Sequence, residues 1–228
     1  MNTRTLFAAV VIVIAVAAVV IIMSMTGGAG PLRGAPTPLS SVEVRSYQGE
    51  DLSPITAFHE NSIKGPQYIN ESAYRLTVTG LTNRTNVYTY REVLDQYPHF
   101  SKVVTLFCVE GWDATILWEG VLVRDLITTA DPDPRADTVV FTAHDGYTTS
   151  FPLAYLMDRD IIMASTMNNV TLPAERGFPF ALVAEDRWGY KWIKWIEKIE
   201  LTDDPAYRGY WEQRGYSNDG DLNRSYYS

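Results

Sequence analysis

Only one cysteine, Cys108, occurs in this sequence of 228 residues. A single thiol excludes an internal disulfide, a Cys-x-x-Cys zinc site and a Cys-x-x-Cys-His haem attachment. The chain must therefore fold around an apolar core, and any metal must arrive inside a cofactor or bind through His and carboxylate ligands. Hydrophobic residues, at 46% of the chain, and aromatic residues, at 12%, supply that core. The net charge of −8 predicts no nucleic-acid partner, because such proteins carry basic stripes.

The N-terminal segment carries the strongest local signal in the sequence. Leu6 to Met25 is uncharged and almost wholly apolar, and twenty helical residues span about 30 Å, the thickness of a bilayer's hydrocarbon core. A single-pass membrane helix is the favoured prediction. A cleaved signal is the rival, but its apolar core normally runs only about 7 to 15 residues. Arg4, on the short side of the segment, places the following domain outside the cytoplasm by the positive-inside rule.

The sequence divides into three regions. They are a transmembrane anchor or uncleaved signal over residues 1–25, a flexible linker over residues 26–45, and one globular domain over residues 46–228. Gly and Pro are enriched directly after the apolar run, which supports a linker because such segments behave as flexible chains. The remaining length suits a single domain.

Within the domain, short strands outnumber helices. The alternation in "YRLTVTGL" predicts a half-buried strand, whereas "YREVLDQYP" has the spacing of a short helix that Pro98 ends. "VLVRDLITTA" predicts a second helix, and "TVVFTAHDGYTTSFPL" predicts two strands joined at an Asp-Gly turn. "FPFALVAED" and "KWIKWIEKIEL" are further strand candidates. This pattern predicts a β-rich mixed domain of the α+β class with a curved sheet.

Cys108 lies at the boundary between an apolar run and a turn. It ends "VVTLFC" and opens "CVEGWDATILWEG". A thiolate at the end of a strand suits a soft sulfur ligand to a metal. The alternative is an inert core thiol, because unpaired cysteines are among the most buried residues. The position of the thiol alone favours the core cysteine, because a reactive thiol needs an electropositive, partly open site.

Four stretches of the chain resemble one family. They are "VVTLFCVEGWDATILWEGVLVRDLI", "HDGYTTSFPL", "MASTMNNVTLPAERGFPFALVAEDRWGYKWIKWIEKIEL" and "GYWEQRGYS", and they occur in the family's order. From Asn61 to Tyr216 the sequence is similar to molybdopterin-binding oxidoreductases of the sulfite oxidase type, especially the periplasmic methionine-sulfoxide reductase catalytic subunits. The resemblance implies the sulfite-oxidase molybdopterin fold for residues 46–228 and a molybdenum-molybdopterin cofactor. It also makes Cys108 the metal ligand and the catalytic residue.

The resemblance implies a set of residues that bind the cofactor. A pyranopterin carries a dianionic phosphate, so its site needs cations, backbone amides and hydrogen-bond partners. If "KWIKW" is a strand, Lys191 and Lys194 point to opposite faces, so one grips the phosphate while the other is solvated. Without the resemblance, the same stretch is an amphipathic edge strand with solvated lysines. The predicted cofactor-binding residues are Asn61, Arg176, Lys191, Trp192, Ile193 and Lys194.

The sequence departs from the family at two places. Relatives carry an arginine after the "ERGFP" loop, where this chain has Ala181. Either Arg176 or Arg187 replaces the missing cation, or the cofactor is held more loosely. Exported relatives carry a twin-arginine signal, whereas "MNTRTLF" has Arg4 alone. These departures motivate an alternative function: a non-catalytic module with the same fold that binds a pterin-like ligand or a partner protein.

The favoured function is a membrane-anchored molybdenum-cofactor oxidoreductase. It transfers an oxygen atom to or from a small substrate such as sulfite or a sulfoxide. An aromatic shell of Phe107, Trp112 and Trp118 tunes the metal's potential, because burial around a metal site controls its redox behaviour. Each turnover moves two electrons, so we expect a separate membrane redox partner, a cytochrome or a quinone-linked protein.

Overall fold

The computed structural model describes residues 42–227. The predicted anchor, residues 1–25, and most of the predicted linker, residues 26–45, lie outside the described residues, so both stay predictions. No helix within the described range is both long and apolar enough to cross a membrane.

The described part of the chain contains many short strands and few helices. The strands are β1 (Ser46–Tyr47), β2 (Glu50–Asp51), β3 (Leu76–Gly80), β4 (Asn86–Tyr88), β5 (His99–Phe107), β6 (Asp113–Leu122), β7 (Thr138–Ala143), β8 (Thr148–Pro152), β9 (Ile162–Met167), β10 (Val170–Thr171), β11 (Ala181–Leu182) and β12 (Ile196–Thr202). The α-helices are α1 (Tyr90–Gln96), α2 (Val123–Thr129) and α3 (Leu153–Met157). Short 3-10 turns occupy Ala174–Arg176, Gly189–Lys191 and Glu212–Arg214.

Two five-stranded sheets organise the domain. The first has the strand order β4-β3-β12-β7-β8, in which β12 runs parallel to β3 and antiparallel to β7. The second has the order β10-β9-β6-β5, and the short strand β11 also pairs with β9. Within it, β5 and β6 form a long antiparallel ladder from His99 opposite Val121 to Phe107 opposite Asp113. One hydrophobic cluster takes residues from both sheets, so they share a core.

Local sequence explains where the first helix begins and ends. The Thr89 hydroxyl accepts from the Glu92 backbone N–H at 3.2 Å, and the Glu92 carboxylate accepts from the Thr89 backbone N–H at 2.7 Å. This capping box satisfies donors that the first helical turn leaves free. The helix ends at Gln96, two residues before Pro98, because the residue preceding a proline disfavours helical geometry. The predicted helix is confirmed.

The β-rich α+β prediction is confirmed, with corrections to particular strands. "FPFALVAED" forms a strand only at Ala181–Leu182, and "KWIKWIEKIEL" forms one only from Ile196, because Gly189–Lys191 is a 3-10 turn. The sequence also failed to predict β6 and β9. Both strands are largely buried along their length, and a strand covered on both faces lacks the alternation by which half-buried strands are recognised.

Candidate functional site

A cavity of about 420 Å³ opens next to the end of β5. Its lining includes the loop at residues 58–63, the β5–β6 turn and part of the segment 175–195. Aromatic rings and charged groups alternate around it, and this mixture of apolar surface with a few polar groups is typical of small-molecule sites. The single thiol of the chain forms part of the wall.

Cys108 is the first residue after β5. Its backbone N–H donates to the Trp112 carbonyl at 2.9 Å, and its carbonyl accepts from the Gly111 N–H at 3.1 Å, which closes the turn. Gly189 packs so closely that a Cβ there would lie 3.2 Å from the Phe107 carbonyl oxygen. Only 8% of Cys108 is exposed, and burial raises the pKa of its thiol. A metal that binds this sulfur must therefore displace its proton.

Asn61 connects the thiol to a carboxylate. Its Nδ2 group donates to Cys108 Sγ at 3.7 Å and to Glu110 Oε2 at 3.1 Å. Trp112 Nε1 donates to the same Glu110 oxygen at 3.1 Å. The hydrogen bonds from Asn61 and Trp112 lower the pKa of Glu110, which keeps an exposed carboxylate ionised close to the cysteine. The structure thus brings the predicted Asn61 and Cys108 together.

Arg176 lines the cavity, but its guanidinium is already engaged. Nε donates to the Ile55 carbonyl at 2.8 Å, Nη2 to the Phe58 carbonyl at 2.7 Å and Nη1 to the His59 carbonyl at 3.2 Å. The group also stacks over the Phe58 ring, 3.9 Å from its centre. Burial lowers the pKa of Arg176. A phosphate at this arginine has to compete with three backbone carbonyls.

Lys194 presents its ammonium group to the cavity, with 19% of the side chain exposed. It forms an ion pair with Glu60 and also donates to the Glu175 carbonyl at 3.4 Å. The ammonium nitrogen lies 4.4 Å from the centre of the Trp195 ring. Burial lowers the pKa of Lys194, and the carboxylate of Glu60 opposes that effect. To bind this cation, a phosphate must displace one carboxylate, that of Glu60.

Lys191 does not line the cavity. Its side chain is fully buried, and Nζ donates to Glu212 Oε1 at 2.7 Å, the Ser150 carbonyl at 2.7 Å and the Asn218 carbonyl at 2.9 Å. These three bonds use all the protons of the ammonium group. The expectation that one lysine of the pair is solvated is therefore wrong, because the 3-10 turn directs Lys191 into the domain and Lys194 towards the cavity.

Trp192 and Ile193 line the cavity together with Lys194, as the resemblance implied. The Trp192 ring lies 5.7 Å from the ring of Trp118, and its Nε1 donates to the Arg187 carbonyl at 2.9 Å. Of the predicted set, the structure brings all but Lys191 to one cavity.

Ala181 also lines the cavity, at the position where relatives carry an arginine. Gly177 packs against it, since a Cβ on Gly177 would lie 3.0 Å from the Cβ atoms of both Ala181 and Lys194. Arg187, the other candidate for the missing cation, is not among the lining residues, and its guanidinium pairs with Asp219 and Asp221. The position of Arg187 therefore gives it no access to this cavity.

Several lining residues were not assigned from the sequence. Trp211 and Tyr216, which we call the C-terminal wall, come from the stretch "GYWEQRGYS", and the Tyr216 ring lies 5.2 Å from Trp211 and 5.0 Å from Tyr190. This stretch was noticed only through the family resemblance, although its closely spaced aromatic residues could have indicated a binding wall. Of the predicted aromatic shell, Trp112 and Trp118 line the cavity, whereas Phe107 does not. The unassigned lining carboxylates are Glu60, Glu110, Asp145 and Glu175.

Residues 63–211 match the model of a protein family described as the oxidoreductase molybdopterin binding domain. The chain belongs to the molybdopterin-binding oxidoreductase family. This membership confirms the predicted resemblance, the molybdenum-molybdopterin cofactor and the prediction of an oxidoreductase. The assignment of individual residues to the cofactor stays a prediction.

Individual relatives and a solved structure agree with this assignment. A putative protein-methionine-sulfoxide reductase subunit, YedZ1, of Azospira oryzae is 33% identical over 150 residues, which are 65% of this chain and 56% of that protein. The protein-methionine-sulfoxide reductase catalytic subunit MsrP of Gluconobacter oxydans is 26% identical over 204 aligned residues, and the match covers 79% of this chain and 65% of that protein. The sulfane dehydrogenase SoxCD of Paracoccus pantotrophus matches with a TM-score of 0.60 at 22% identity, over 68% of this chain and 43% of that chain. The likeness to SoxCD confirms the fold, and the chain spans less than two thirds of each of these proteins.

The residues of the cavity fit the family's cofactor. A soft thiol stands in the wall at Cys108, and thiolate sulfur is a ligand that suits soft metal centres. Lys194 supplies a cation for a phosphate, and Trp192 supplies a flat apolar surface for a ring system. The four lining carboxylates oppose a dianion, so phosphate binding requires that Lys194 release Glu60.

Proposed function

We propose that this chain is a molybdenum-cofactor oxidoreductase that moves an oxygen atom to or from a small substrate, and that the substrate is neutral, a sulfoxide in preference to sulfite. The names of YedZ1 and MsrP, both assigned to protein-methionine-sulfoxide reductase, support this choice. When bound, the cofactor supplies a molybdenum centre that exchanges an oxygen atom with substrate as two electrons move.

One observation carries the choice of a neutral substrate: the ionised carboxylate of Glu110 lies beside the cysteine. A single amide, that of Asn61, bonds both groups at once. An anion that approaches Cys108 therefore meets a fixed negative charge, and like charges that meet in a site cost binding energy. A sulfoxide carries no net charge and does not meet this repulsion.

The remaining charges of the lining act in the same direction. Glu60, Asp145 and Glu175 add three carboxylates, while both lining cations, Arg176 and Lys194, already have partners within residues 42–227. A site for sulfite or nitrate needs cations with free donors. In the proposed site, Cys108 holds the metal and Asn61 fixes the orientation of the sulfur.

The test compares two reactions of the purified holoprotein. Sulfoxide reduction is followed with a reduced viologen dye and sulfite oxidation with ferricyanide, and we expect kcat/KM to be higher for the sulfoxide. Replacing Glu110 with Gln should raise kcat/KM for sulfite by roughly threefold to tenfold at low salt. Glu119→Gln, a control on β6 outside the cavity, should leave both values unchanged. A holoprotein that prefers sulfite would overturn the substrate proposal.

We also propose that residues 1–25 anchor the domain on the outer side of a membrane and that a separate membrane redox protein exchanges electrons with it. The apolar N-terminal run supports the anchor. The names of two relatives as a subunit and a catalytic subunit support a partner. Protease added to intact cells should digest the domain, and a carbonate wash should leave it in the membrane. Full protection until lysis would place the domain in the cytoplasm instead.

A further inference from the structure

Arg176 makes contacts that a phosphate-binding arginine does not need. Its three guanidinium nitrogens all donate to backbone carbonyls, those of Ile55, Phe58 and His59. These acceptors are neutral dipoles, and they belong to a single loop. A rigid planar fork suits such a role, because it can hold several acceptors in one fixed geometry.

The loop that Arg176 holds is attached to the rest of the domain at its start. The Ser53 N–H donates to the Thr115 carbonyl at 2.8 Å, and the Asn168 side chain donates to the Ser53 carbonyl at 2.9 Å. Residues 52–61 form no helix or strand. Further contacts come from the Ile55 N–H, which donates to Glu43 at 2.8 Å, and from the Phe58 ring, which lies 5.7 Å from Trp112. Within residues 42–227, the end of the loop is held only through the side chains of Glu60 and Asn61. The three bonds to Arg176 therefore hold the backbone between the two ends, at residues 55–59.

The end of this loop reaches the reactive part of the cavity. Residues 58–61, which we call the N-terminal wall, all line it. Asn61 donates to Cys108 Sγ at 3.7 Å, and Glu60 pairs with Lys194. A shift of this wall moves the amide that touches the sulfur and the carboxylate that occupies the lysine.

We propose that Arg176 is a positioning residue: it fixes the N-terminal wall by binding three backbone carbonyls and thereby sets Asn61 against Cys108, and it does not grip the phosphate. This inference rests on the proposed role of Cys108 as the metal ligand. It replaces the expectation that Arg176 substitutes for the cation missing at Ala181. Among the residues that line the cavity, Lys194 is then the cation left for the phosphate.

The experiment begins with cofactor-free protein, made in a host that cannot synthesise molybdopterin. Hydrogen exchange is measured on the backbone amides of residues 55–61, with strand β12 as an internal reference for the global fold. Loss of the three bonds in Arg176→Gln should raise exchange in this loop at least about tenfold. Iodoacetamide should also alkylate Cys108 several-fold faster, because the N-terminal wall no longer shields the thiol.

Further variants locate the effect. Asn61→Ala should speed alkylation without speeding exchange at residues 55–59, and the double variant should alkylate no faster than Arg176→Gln alone. Arg176→Lys keeps the charge but loses the fork, so positioning predicts that it behaves like Arg176→Gln. Arg187→Gln, which removes an arginine outside the cavity, is the matched control and should leave the loop unchanged.

Molybdenum content after expression in a cofactor-competent host separates the two roles. If Arg176→Gln loses molybdenum while loop exchange and alkylation stay at wild-type rates, and Arg176→Lys restores the metal, then Arg176 grips the phosphate and the proposal is wrong. Because exchange is measured without cofactor, this failure is distinct from a failure of the proposed oxygen-atom transfer, which leaves the loop result intact.

Discussion

The two walls of the cavity are both built from irregular chain, yet cations hold them in different ways. The N-terminal wall depends on Arg176, whose charge meets three neutral carbonyls. The C-terminal wall flanks Glu212, whose carboxylate meets the ammonium of Lys191 with both side chains fully buried. The first arrangement contains one half-buried charge, and the second contains two fully buried charges of opposite sign.

This difference predicts how each wall responds when its cation is removed by mutation. Removing one partner of a buried ion pair leaves an uncompensated charge, which is strongly destabilising. Removing a cation from carbonyls leaves neutral dipoles, and water can solvate those at a partly exposed loop at a smaller cost. The C-terminal wall should therefore govern stability, and the N-terminal wall should govern the geometry at Cys108.

The largest loss of stability is expected for Lys191→Met. It leaves the carboxylate of Glu212 buried without its cation, and Glu212 Oε2 already accepts no hydrogen bond within residues 42–227. We expect the free energy of unfolding, measured by urea titration, to fall by about 3–5 kcal/mol. The double variant with Glu212→Leu should recover most of this loss. A double variant no more stable than the single one would show that the charge pair is not what holds this wall.

Arg176→Gln should cost less, about 1–3 kcal/mol in the same titration, because it leaves unpaired carbonyls and no unpaired charge. The comparison between the walls fails if this variant is less stable than Lys191→Met. Equal losses would indicate that the N-terminal wall is as much a part of the cooperative core as the C-terminal wall.

Lys194→Gln should cost about 1 kcal/mol, because its ion pair with Glu60 is mostly buried but borders the open cavity, where water can solvate the carboxylate that is left. Its effect should lie in cofactor retention, so molybdenum per protein after identical dialysis should fall well below wild type. Ala181→Arg should raise that retention by adding a cation to the lining. Wild-type molybdenum content in Lys194→Gln would contradict the assignment of this lysine to the phosphate.

Cys108→Ser should have the smallest effect on stability, under about 1 kcal/mol, because the hydroxyl has nearly the size of the thiol and can still accept from Asn61. Its functional effect should be the largest, since a hydroxyl is a poor ligand for a soft metal centre. We expect loss of turnover and an altered metal absorption spectrum in the holoprotein. Unchanged spectra and turnover would remove Cys108 from the metal.

The order of functional effects is thus expected to run opposite to the order of stability effects. Residues that touch the reactive centre lie in a cavity whose surface is already partly solvated, so changing them disturbs few buried contacts. Lys191, which holds the C-terminal wall, lies deeper and carries charge into the core, whereas Arg176 is half-buried at the cavity. Measuring both quantities on the same four variants tests this relation directly.

Local sequence patterns were enough to predict several elements of the fold and the family. Cys108 at the junction of an apolar run and a turn, the helix at Tyr90–Gln96 and the strand pair around the Asp-Gly turn depend on nearest neighbours, and all were recognised. The resemblance, which rests on four stretches in the family's order, predicted the cofactor and a set of binding residues of which all but Lys191 line the cavity. These features need no knowledge of distant contacts.

The role of each cation depends on contacts that form only in the folded domain. Lys191 and Lys194 are three residues apart in one motif, and a 3-10 turn sends one into the core and the other to the cavity. Arg176 binds carbonyls as far as 121 residues away in the chain. The local sequence around a long charged side chain is the same whichever acceptor that side chain reaches in the fold. Its role is therefore set by which backbone the fold brings within hydrogen-bonding distance, and no local pattern contains that information.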